Sequence, residues 1–260
     1  MTTKYNLIVV GCGGTGTYFL KEICRFLSGS NLVREIHVFD GDIVERKNLS
    51  RQCFDESDIG LNKAVVMGEV LSTVFHLPVI AHDRYLLDAE DLNQFMYRKG
   101  YYEETIPVVI GCVDNHGARL IMEDFFHNKS NDTCILFDSG NEYATGEISY
   151  AYKRDGKVIS PARSYYFPEI KNGDVRNRDE ISCEELNAVE PQHFVTNMMA
   201  GQLLCSAFVM LLDGKLKCGV SVFNAMIGTV EFYPYRSIEE KSTDMEQKSA
   251  EGGVEVCQKD

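Results

Sequence analysis

A glycine-rich stretch near the amino terminus has the residue types and spacing of a phosphate-binding turn. Gly11, Gly13, Gly14 and Gly16 lie within Gly11-Cys12-Gly13-Gly14-Thr15-Gly16, between the apolar run of residues 7–10 and a segment with helical periodicity. Glycines let the backbone turn tightly and approach phosphate oxygens, while the amides of the following helix point at the anion. The pattern predicts a nucleotide site, although it would suit NAD, FAD or S-adenosylmethionine, or only pack a helix against a strand.

Three charged residues further along the chain favour chemistry on ATP. Lys63 opens a predicted helix and Asp114 follows a predicted strand, whereas Arg51 lies in the stretch that connects the second predicted strand to the helix of Lys63. When a carboxylate attacks the α-phosphorus of ATP, pyrophosphate is expelled; Arg and Lys would neutralise the developing charge, and an Asp would hold Mg²⁺. A dehydrogenase needs no such set, so the residues predict adenylation rather than hydride transfer.

Other polar residues nearby each have two possible roles. Asp40 ends the second predicted strand, where an acid typically accepts hydrogen bonds from ribose hydroxyls, but it could also cap a turn. Asn48 could likewise cap a turn. Asp42 could only stabilise its loop, and we expect Arg119 to form a structural ion pair.

Taken in order, these motifs resemble the ThiF and ubiquitin-activating-enzyme family, over residues 5–152 and more loosely to residue 233. The matching features are the glycine loop, the stretch Asp40-Gly41-Asp42-Ile43-Val44-Glu45 leading to Asn48, Arg51 and Gln52, then Gly60 with Lys63, and finally Asp114-Asn115. The family comprises ATP-dependent enzymes that adenylate the C-terminal glycine of ubiquitin-like proteins. Ser182-Cys183, followed by a long apolar helix, is similar to the ThiF proteins of the PRTRC plasmid-associated system.

The resemblance implies a role for each matching residue. Asp40 would bind the ribose; Lys63 would reach the phosphates and Asp114 would coordinate Mg²⁺. The phosphate site would be lined by Asn48, Arg51 and Gln52, with Arg51 as the main cation. The implied partners are a small ubiquitin-like or sulfur-carrier protein ending in glycine, and a second copy of the chain in a homodimer.

The sequence departs from sulfur-carrier activators in two respects. Its nine cysteines form no C-x-x-C pair, so no zinc is expected. Many relatives also lend an arginine to the partner subunit from an amino-terminal arm, and here the first strand is predicted to begin within a few residues of Met1. That arginine is therefore absent or comes from elsewhere.

Cys183 is a candidate nucleophile. It lies in the irregular, polar segment of residues 160–191. The resemblance implies that this region is where some members of the family carry a cysteine that captures the activated carboxylate. Glu180, Glu184 and Glu185 flank it and would raise the pKa of its thiol. The alternative is an incidental thiol, whereas Cys12 and Cys112 are expected to be buried packing residues.

Alternating strand and helix patterns predict an α/β fold of the Rossmann-like ThiF type. Predicted strands at residues 7–10, 35–40, 78–81, 107–111 and 134–138 alternate with helices at 62–75 and 115–127, which indicates a parallel sheet covered on both faces. Val66, Val70 and Val74 are expected to form one stripe of the helix at 62–75. After Gly140 the pattern changes to antiparallel strands, with a hairpin at Asp155-Gly156.

We predict an adenylation domain at residues 1–236, with residues 160–191 as its crossover loop. The apolar segment 192–212 is predicted to be a core helix. Residues 237–260 carry seven acidic and three basic residues and are predicted to be an acidic, disordered tail.

Charge and apolar content narrow the possible partners and compartment. A net charge of -13 argues against binding nucleic acid or an anionic membrane. No secretory signal is visible, and we expect no apolar run to approach the length of a membrane span, so the expected compartment is the cytoplasm. Besides an adenylating enzyme, a non-catalytic nucleotide-binding scaffold and an NAD- or FAD-dependent oxidoreductase remain as alternatives.

Overall fold

The computed structural model describes residues 2–101, 103–172 and 192–235, which form one sheet with helices on both faces. The strands are β1 (Thr2–Val10), β2 (Val33–Phe39), β3 (Val79–His82), β4 (Arg98–Lys99), β5 (Glu103–Gly111), β6 (Cys134–Asn141), β7 (Thr145–Arg154), β8 (Lys157–Ser160), β9 (Gly219–Asn224) and β10 (Thr229–Pro234). The α-helices are α1 (Gly14–Leu27), α2 (Lys63–Phe75), α3 (His116–His127), α4 (Arg163–Tyr166) and α5 (Phe194–Leu212). Short 3₁₀ helices occur at Arg46–Asn48, Glu56–Asp58, Ala89–Phe95 and Pro168–Asn172.

The sheet combines a parallel half and an antiparallel half. Its strand order is β10-β9-β7-β6-β5-β1-β2-β3, with β4 beside β5 and β8 beside β7. Strands β6, β5, β1, β2 and β3 are parallel neighbours, whereas β7, β9 and β10 continue the sheet in antiparallel pairs. This arrangement confirms the predicted fold class.

Each face of the sheet has its own apolar core. The core that includes residues of α1, α2 and α5 contains Leu7, Val9, Phe19 and Phe208. The core on the other face includes Ile8, Val10 and residues of α3. Successive side chains of β1 thus alternate between two buried layers, which explains why this strand reads as a continuous apolar run.

The hairpin after β7 forms where the sequence predicts it. Asp155 has φ 50° and Gly156 has φ 74°. Two consecutive residues with positive φ form the type of two-residue turn that matches the twist of antiparallel strands, and Gly and Asp are favoured there. The turn directs β8 back along β7.

The predicted valine stripe of α2 is wrong. Val66 is 6% exposed, but Val70 and Val74 are 50% and 60% exposed. The buried face instead consists of Lys63, Ala64, Val66, Met67, Gly68 and Leu71. Residues four apart advance about 40° around a helix, so a stripe at that single spacing drifts off the buried face within two turns.

Helix α5 corrects the expectation that no apolar run approaches the length of a membrane span. By length and composition alone, its 19 residues would suffice to cross a bilayer. In this structure, however, it packs against α1, β6 and β7. The residues of α5 that are buried are Thr196, Asn197, Ala200, Gly201, Leu204, Cys205, Ala207 and Phe208.

Candidate active site at the carboxyl edge of the sheet

A cleft of about 680 Å³ opens at the carboxyl ends of the parallel strands. In an open α/β sheet this edge is where ligands bind, because the loops there diverge toward helices on opposite faces. Nine of the predicted site residues line it: Gly11, Gly13, Gly14, Asp40, Asn48, Arg51, Gln52, Lys63 and Asp114. The structure therefore brings together residues that are more than 100 positions apart in the sequence.

The glycine loop owes its shape to close backbone contacts. Gly11 has φ +94°, and a Cβ there would stand 2.5 Å from the carbonyl oxygen of Cys112. Gly16 does not line the cleft; a Cβ on it would stand 2.1 Å from the carbonyl oxygen of Gly11. Gly16 therefore allows α1 to begin against the end of β1, and Gly11 allows the turn to pass the neighbouring strand.

Asp40 fixes the loop that follows β1 to the loop that follows β2. Its Oδ2 accepts a hydrogen bond from the backbone N–H of Cys12 at 2.6 Å, and its Oδ1 accepts one from that of Asp42 at 2.8 Å. Burial raises the pKa of Asp40, and the nearby Asp42 carboxylate adds to this effect. Because each carboxylate oxygen has a second lone pair, Asp40 can hold the glycine loop and still accept a hydroxyl of a ligand.

Lys63 is held in the cleft by Asp42. The Lys63 ammonium is 2.9 Å from Asp42 Oδ2, and Lys63 itself is only 6% exposed. Burial would raise the pKa of Asp42, but hydrogen bonds from Tyr85 and Lys63 outweigh it and lower the pKa. Asp42 therefore positions the lysine that begins α2, which is more than the loop-stabilising role considered for it from the sequence.

The residues between β2 and α2 form the wall of the cleft that carries Asn48, Arg51 and Gln52. Asn48 is 3% exposed, and its Oδ1 accepts the backbone N–H of Glu45 at 2.8 Å, so it caps this turn and also lines the cleft. Gln52 Nε2 is 3.8 Å from the point where Gly13 would carry a Cβ. The buried Oε1 of Gln52 has no hydrogen-bond partner among the residues described. A polar ligand lying along the glycine loop would meet these groups.

Asp114 follows β5, and its loop is anchored by Arg119. Arg119 is 5% exposed; its guanidinium is 2.6 Å from Asp138 Oδ1, 2.8 Å from the carbonyl oxygen of Ser139, and donates to the carbonyl oxygen of Val113. The expectation that Arg119 is a structural ion-pair residue is confirmed. Through Val113 it holds the residue directly before Asp114.

The acidic groups at the cleft suit Mg²⁺ bound together with a nucleotide. In the described parts of the chain, no cluster of three or more His, Cys, Asp or Glu could hold a metal by itself. Mg²⁺ typically keeps several waters and binds one or two carboxylates together with substrate phosphates. Asp114, exposed at the mouth of the cleft, could supply such a single carboxylate.

Several cleft residues have no counterpart in the sequence predictions. Asn141 ends β6, Asn197 lies in the first turn of α5, and Gln192 and Tyr85 also line the cleft. No sequence signal singles out Asn197, because its helix also contains Thr196, Gln202 and Ser206. Asn141 and Asn197 meet because β6 ends and α5 begins at the same edge of the sheet, which no local pattern reveals.

Some cysteines lie in the parts of the chain that the structure describes, and others lie outside them. Cys12 is fully buried, as expected, whereas Cys112 is partly exposed and lines the cleft. Burial raises the pKa of both thiols, so neither is an activated nucleophile. Cys183, most of the predicted crossover loop and the predicted tail lie outside the described residues. The narrower PRTRC resemblance, which depends on the region around Cys183, stays a prediction.

Comparison with known proteins agrees with this architecture. A model of the ThiF family matches residues 2–242. The NEDD8-activating enzyme E1 catalytic subunit of Saccharomyces cerevisiae is 37% identical over 149 residues, covering 55% of this chain and 46% of that protein. Ubiquitin-like modifier-activating enzyme 5 of Aedes aegypti is 23% identical over 245 residues, covering 92% of this chain and 57% of that protein. The chain thus spans about half the length of these relatives.

Solved structures share the fold. E. coli MccB with AMPCPP and MccA has a TM-score of 0.60 at 19% identity, covering 90% of this chain and 64% of that one. PaaA also has a TM-score of 0.60, at 14% identity, covering 88% and 64% of the two chains. The curated relatives are named as activating enzymes, the enzyme class that the motifs predict. With a family match that spans nearly its whole length, this chain belongs to the ThiF family.

Proposed function

We propose that this chain is an ATP-dependent adenylating enzyme that activates the C-terminal carboxylate of a peptide or of a small ubiquitin-like or sulfur-carrier protein ending in glycine. A carboxylate oxygen attacks the α-phosphorus of ATP, a new O–P bond forms, and pyrophosphate leaves with the electron pair of the broken bond. The proposal is supported by one arrangement above all: a single cleft collects the glycine loop, the cations Arg51 and Lys63, and the acids Asp40 and Asp114.

Each residue of the cleft has its own role in this reaction, set by its position. The amides of the glycine loop and of the start of α1 would bind phosphate oxygens, and Asp40 would bind the ribose. Arg51 and Lys63 would neutralise the charge that develops on pyrophosphate. Asp114 would hold Mg²⁺, which when bound supplies further charge neutralisation. These cations and this acid would be superfluous in an oxidoreductase. A non-catalytic nucleotide-binding scaffold could use the same residues to bind ATP, and pyrophosphate exchange distinguishes it from an enzyme.

The nucleotide preference is the first prediction. We expect calorimetry to detect ATP binding that tightens when Mg²⁺ is present, and to detect no comparable binding of NAD or FAD. The reason is that Arg51, Lys63 and Asp114 suit a triphosphate–Mg²⁺ complex, whereas NAD carries a shorter, less charged diphosphate. Tight NAD binding without ATP binding would rule out the proposed function.

A transfer step to Cys183 is the second prediction. The thiolate would attack the acyl carbon of the adenylate, forming a thioester and releasing AMP. We therefore expect Cys183→Ala to leave carrier-dependent ATP–pyrophosphate exchange nearly intact and to abolish a thiol-sensitive covalent adduct, detected by non-reducing gel electrophoresis. Cys53→Ala serves as a control because Cys53 is partly exposed but does not line the cleft. An adduct that persists in Cys183→Ala would refute this step.

We further propose a symmetric homodimer. Helix α5 leaves Phe194 and Met198 exposed one turn apart, with exposed fractions of 43% and 45%, and Met210 exposed near its other end, with 37%. Neighbouring exposed apolar side chains such as Phe194 and Met198 are typical of an interface, and two-fold dimers are the commonest assemblies. Light scattering should give twice the mass of the chain at micromolar concentration, and Met198→Glu should lower that mass. A monomeric mass for the wild-type chain throughout this range would exclude the dimer.

A further inference from the structure

A directional chain of hydrogen bonds ends at one side of the cleft. The Thr15 hydroxyl donates to Asn141 Oδ1 at 3.3 Å, and Asn141 Nδ2 donates to Asn197 Oδ1 at 2.8 Å. Gln192 Nε2 donates to the main-chain oxygen of Asn141 at 2.9 Å. Because the Asn197 oxygen accepts, its Nδ2 is left as the donor at the end of the chain.

That donor is buried without a partner. Asn197 is 1% exposed, and its Nδ2 forms no hydrogen bond with any described residue. The same atom lies 2.2 Å from the point where Gly14 would carry a Cβ, and both residues line the cleft. An amide held so firmly, with its donor unused and directly beside the first residue of α1, indicates a ligand atom that accepts from it.

The order of the strands indicates which part of the substrates would lie beside Asn197. Along the carboxyl edge, Asp40 follows β2, the glycine loop follows β1, Asp114 follows β5, and Asn141 ends β6. The cations Arg51 and Lys63 belong to the β2 side. If ribose and phosphates occupy the β2 and β1 positions, the β6 end is left for the reactant that attacks phosphorus.

The side chains at the β6 end of the cleft suit a bound carboxylate. Asn141, Gln192 and Asn197 are neutral, and the guanidinium of Arg119 is engaged by Asp138, Ser139 and Val113. A neutral N–H donor can orient one carboxylate oxygen while leaving the other nucleophilic, whereas a cation would withdraw charge from both. The same donor suits the product, because the acyl oxygen of an adenylate remains a hydrogen-bond acceptor.

We infer that Asn197, oriented by Asn141, forms the acyl subsite and donates from Nδ2 to the C-terminal carboxylate of the polypeptide substrate. This inference rests on the proposed function and adds to it the residues that recognise the acyl group. Asn197 is thus a substrate-binding residue. Asn141 is a positioning residue, because it acts only through the Asn197 amide.

The test uses N-acetyl-Gly-Gly as the probe, its C-terminal amide as the paired compound, and the full chain saturated with AMPCPP. Asn197→Asp keeps the oxygen that accepts from Asn141 but replaces the Nδ2 donor with an acceptor. Asn224→Asp is the matched control, since Asn224 does not line the cleft and uses its Oδ1 to accept from Met226 and Ile227 in the β9–β10 turn. Side-chain amide signals in ¹⁵N NMR report binding, and the Asn197 signal is the one missing in Asn197→Asp.

In the wild-type chain, the acid should shift the Asn197 signal and bind about tenfold more tightly than the amide, the ratio expected from a hydrogen bond to a charged group. Asn197→Asp should lose this preference at AMPCPP concentrations that saturate the variant, whereas Asn224→Asp should retain both the preference and the wild-type affinity for AMPCPP. Asn141→Asp should weaken the preference and move the Asn197 signal before any probe is added.

Equal binding of the acid and the amide by the wild type, or an unchanged preference in Asn197→Asp, would overturn the inference. A failure of the proposed function would look different. In that case AMPCPP would bind and the acid preference would be seen in the NMR titration, but no pyrophosphate exchange would occur.

Discussion

Asp114→Ala is expected to lower ATP–pyrophosphate exchange by about 10²–10³-fold, the typical cost of losing one electrostatic contact to a transition state. Asp114 lines the cleft at the end of β5, and it is the acid that would hold Mg²⁺ against the phosphates. Because the substitution removes a metal ligand, ATP binding should also stop responding to added Mg²⁺. Exchange of labelled pyrophosphate and calorimetry at several Mg²⁺ concentrations measure the two effects.

A control for this variant lies ten residues away. Asp124→Ala removes an exposed carboxylate of α3 that does not line the cleft, and it should leave both measurements unchanged. If Asp114→Ala retained both full exchange and the Mg²⁺ response, the metal would be held elsewhere and the role assigned to Asp114 would be wrong.

Arg119→Met should lower the free energy of unfolding by about 3–5 kcal/mol, the usual cost of removing one partner of a buried ion pair. The side chains of Arg119 and Asp138 are 6% and 2% exposed, and their charged atoms are 2.6 Å apart. Without the guanidinium, the one ion pair left to Asp138 among the described residues is with Arg163, at 3.7 Å, and the carbonyl oxygens of Ser139 and Val113 lose the donor that Arg119 provides. Urea unfolding measures the loss.

The matched control removes an arginine from an exposed pair. Arg25 and Glu22 are also close, at 2.7 Å, but their side chains are 59% and 42% exposed. Exposed pairs contribute little, so Arg25→Met should change the free energy of unfolding by less than about 1 kcal/mol. Equal urea midpoints for the two variants would mean that the Arg119 pair does not anchor the loop of Asp114.

Much of the fold could be predicted because its signals are local. The apolar strands, the glycine turn between β1 and α1, and the Asp155-Gly156 hairpin depend on residues that are near each other in sequence. The valine stripe of α2 failed for a physical reason: burial depends on where the helix meets the sheet, not on the spacing of its valines. The nature of α5 could not be decided from apolar content, because a core helix and a membrane span can have the same composition.

The site was predictable only in part, for a similar reason. Residues that follow a strand or begin a helix, such as Asp40, Lys63 and Asp114, can be found from motif order and all line the cleft. Asn141 and Asn197 are 56 residues apart and carry no motif, so only the three-dimensional contact between β6 and α5 pairs them. The hydrogen bond by which Arg119 holds Val113, next to Asp114, could not be predicted from a sequence pattern either, although the ion-pair role of Arg119 was expected.

The most direct test of adenylation is ATP–pyrophosphate exchange with the wild-type chain and a set of peptides and small proteins ending in a free carboxylate, glycine-terminated ones included. Each is assayed beside its C-terminal amide. We predict that labelled pyrophosphate enters ATP with at least one of the acids, with none of the amides, and not when Asp114→Ala replaces the wild type. Binding of ATP without exchange in the presence of any of these carboxylates would contradict the account and indicate a nucleotide-binding scaffold.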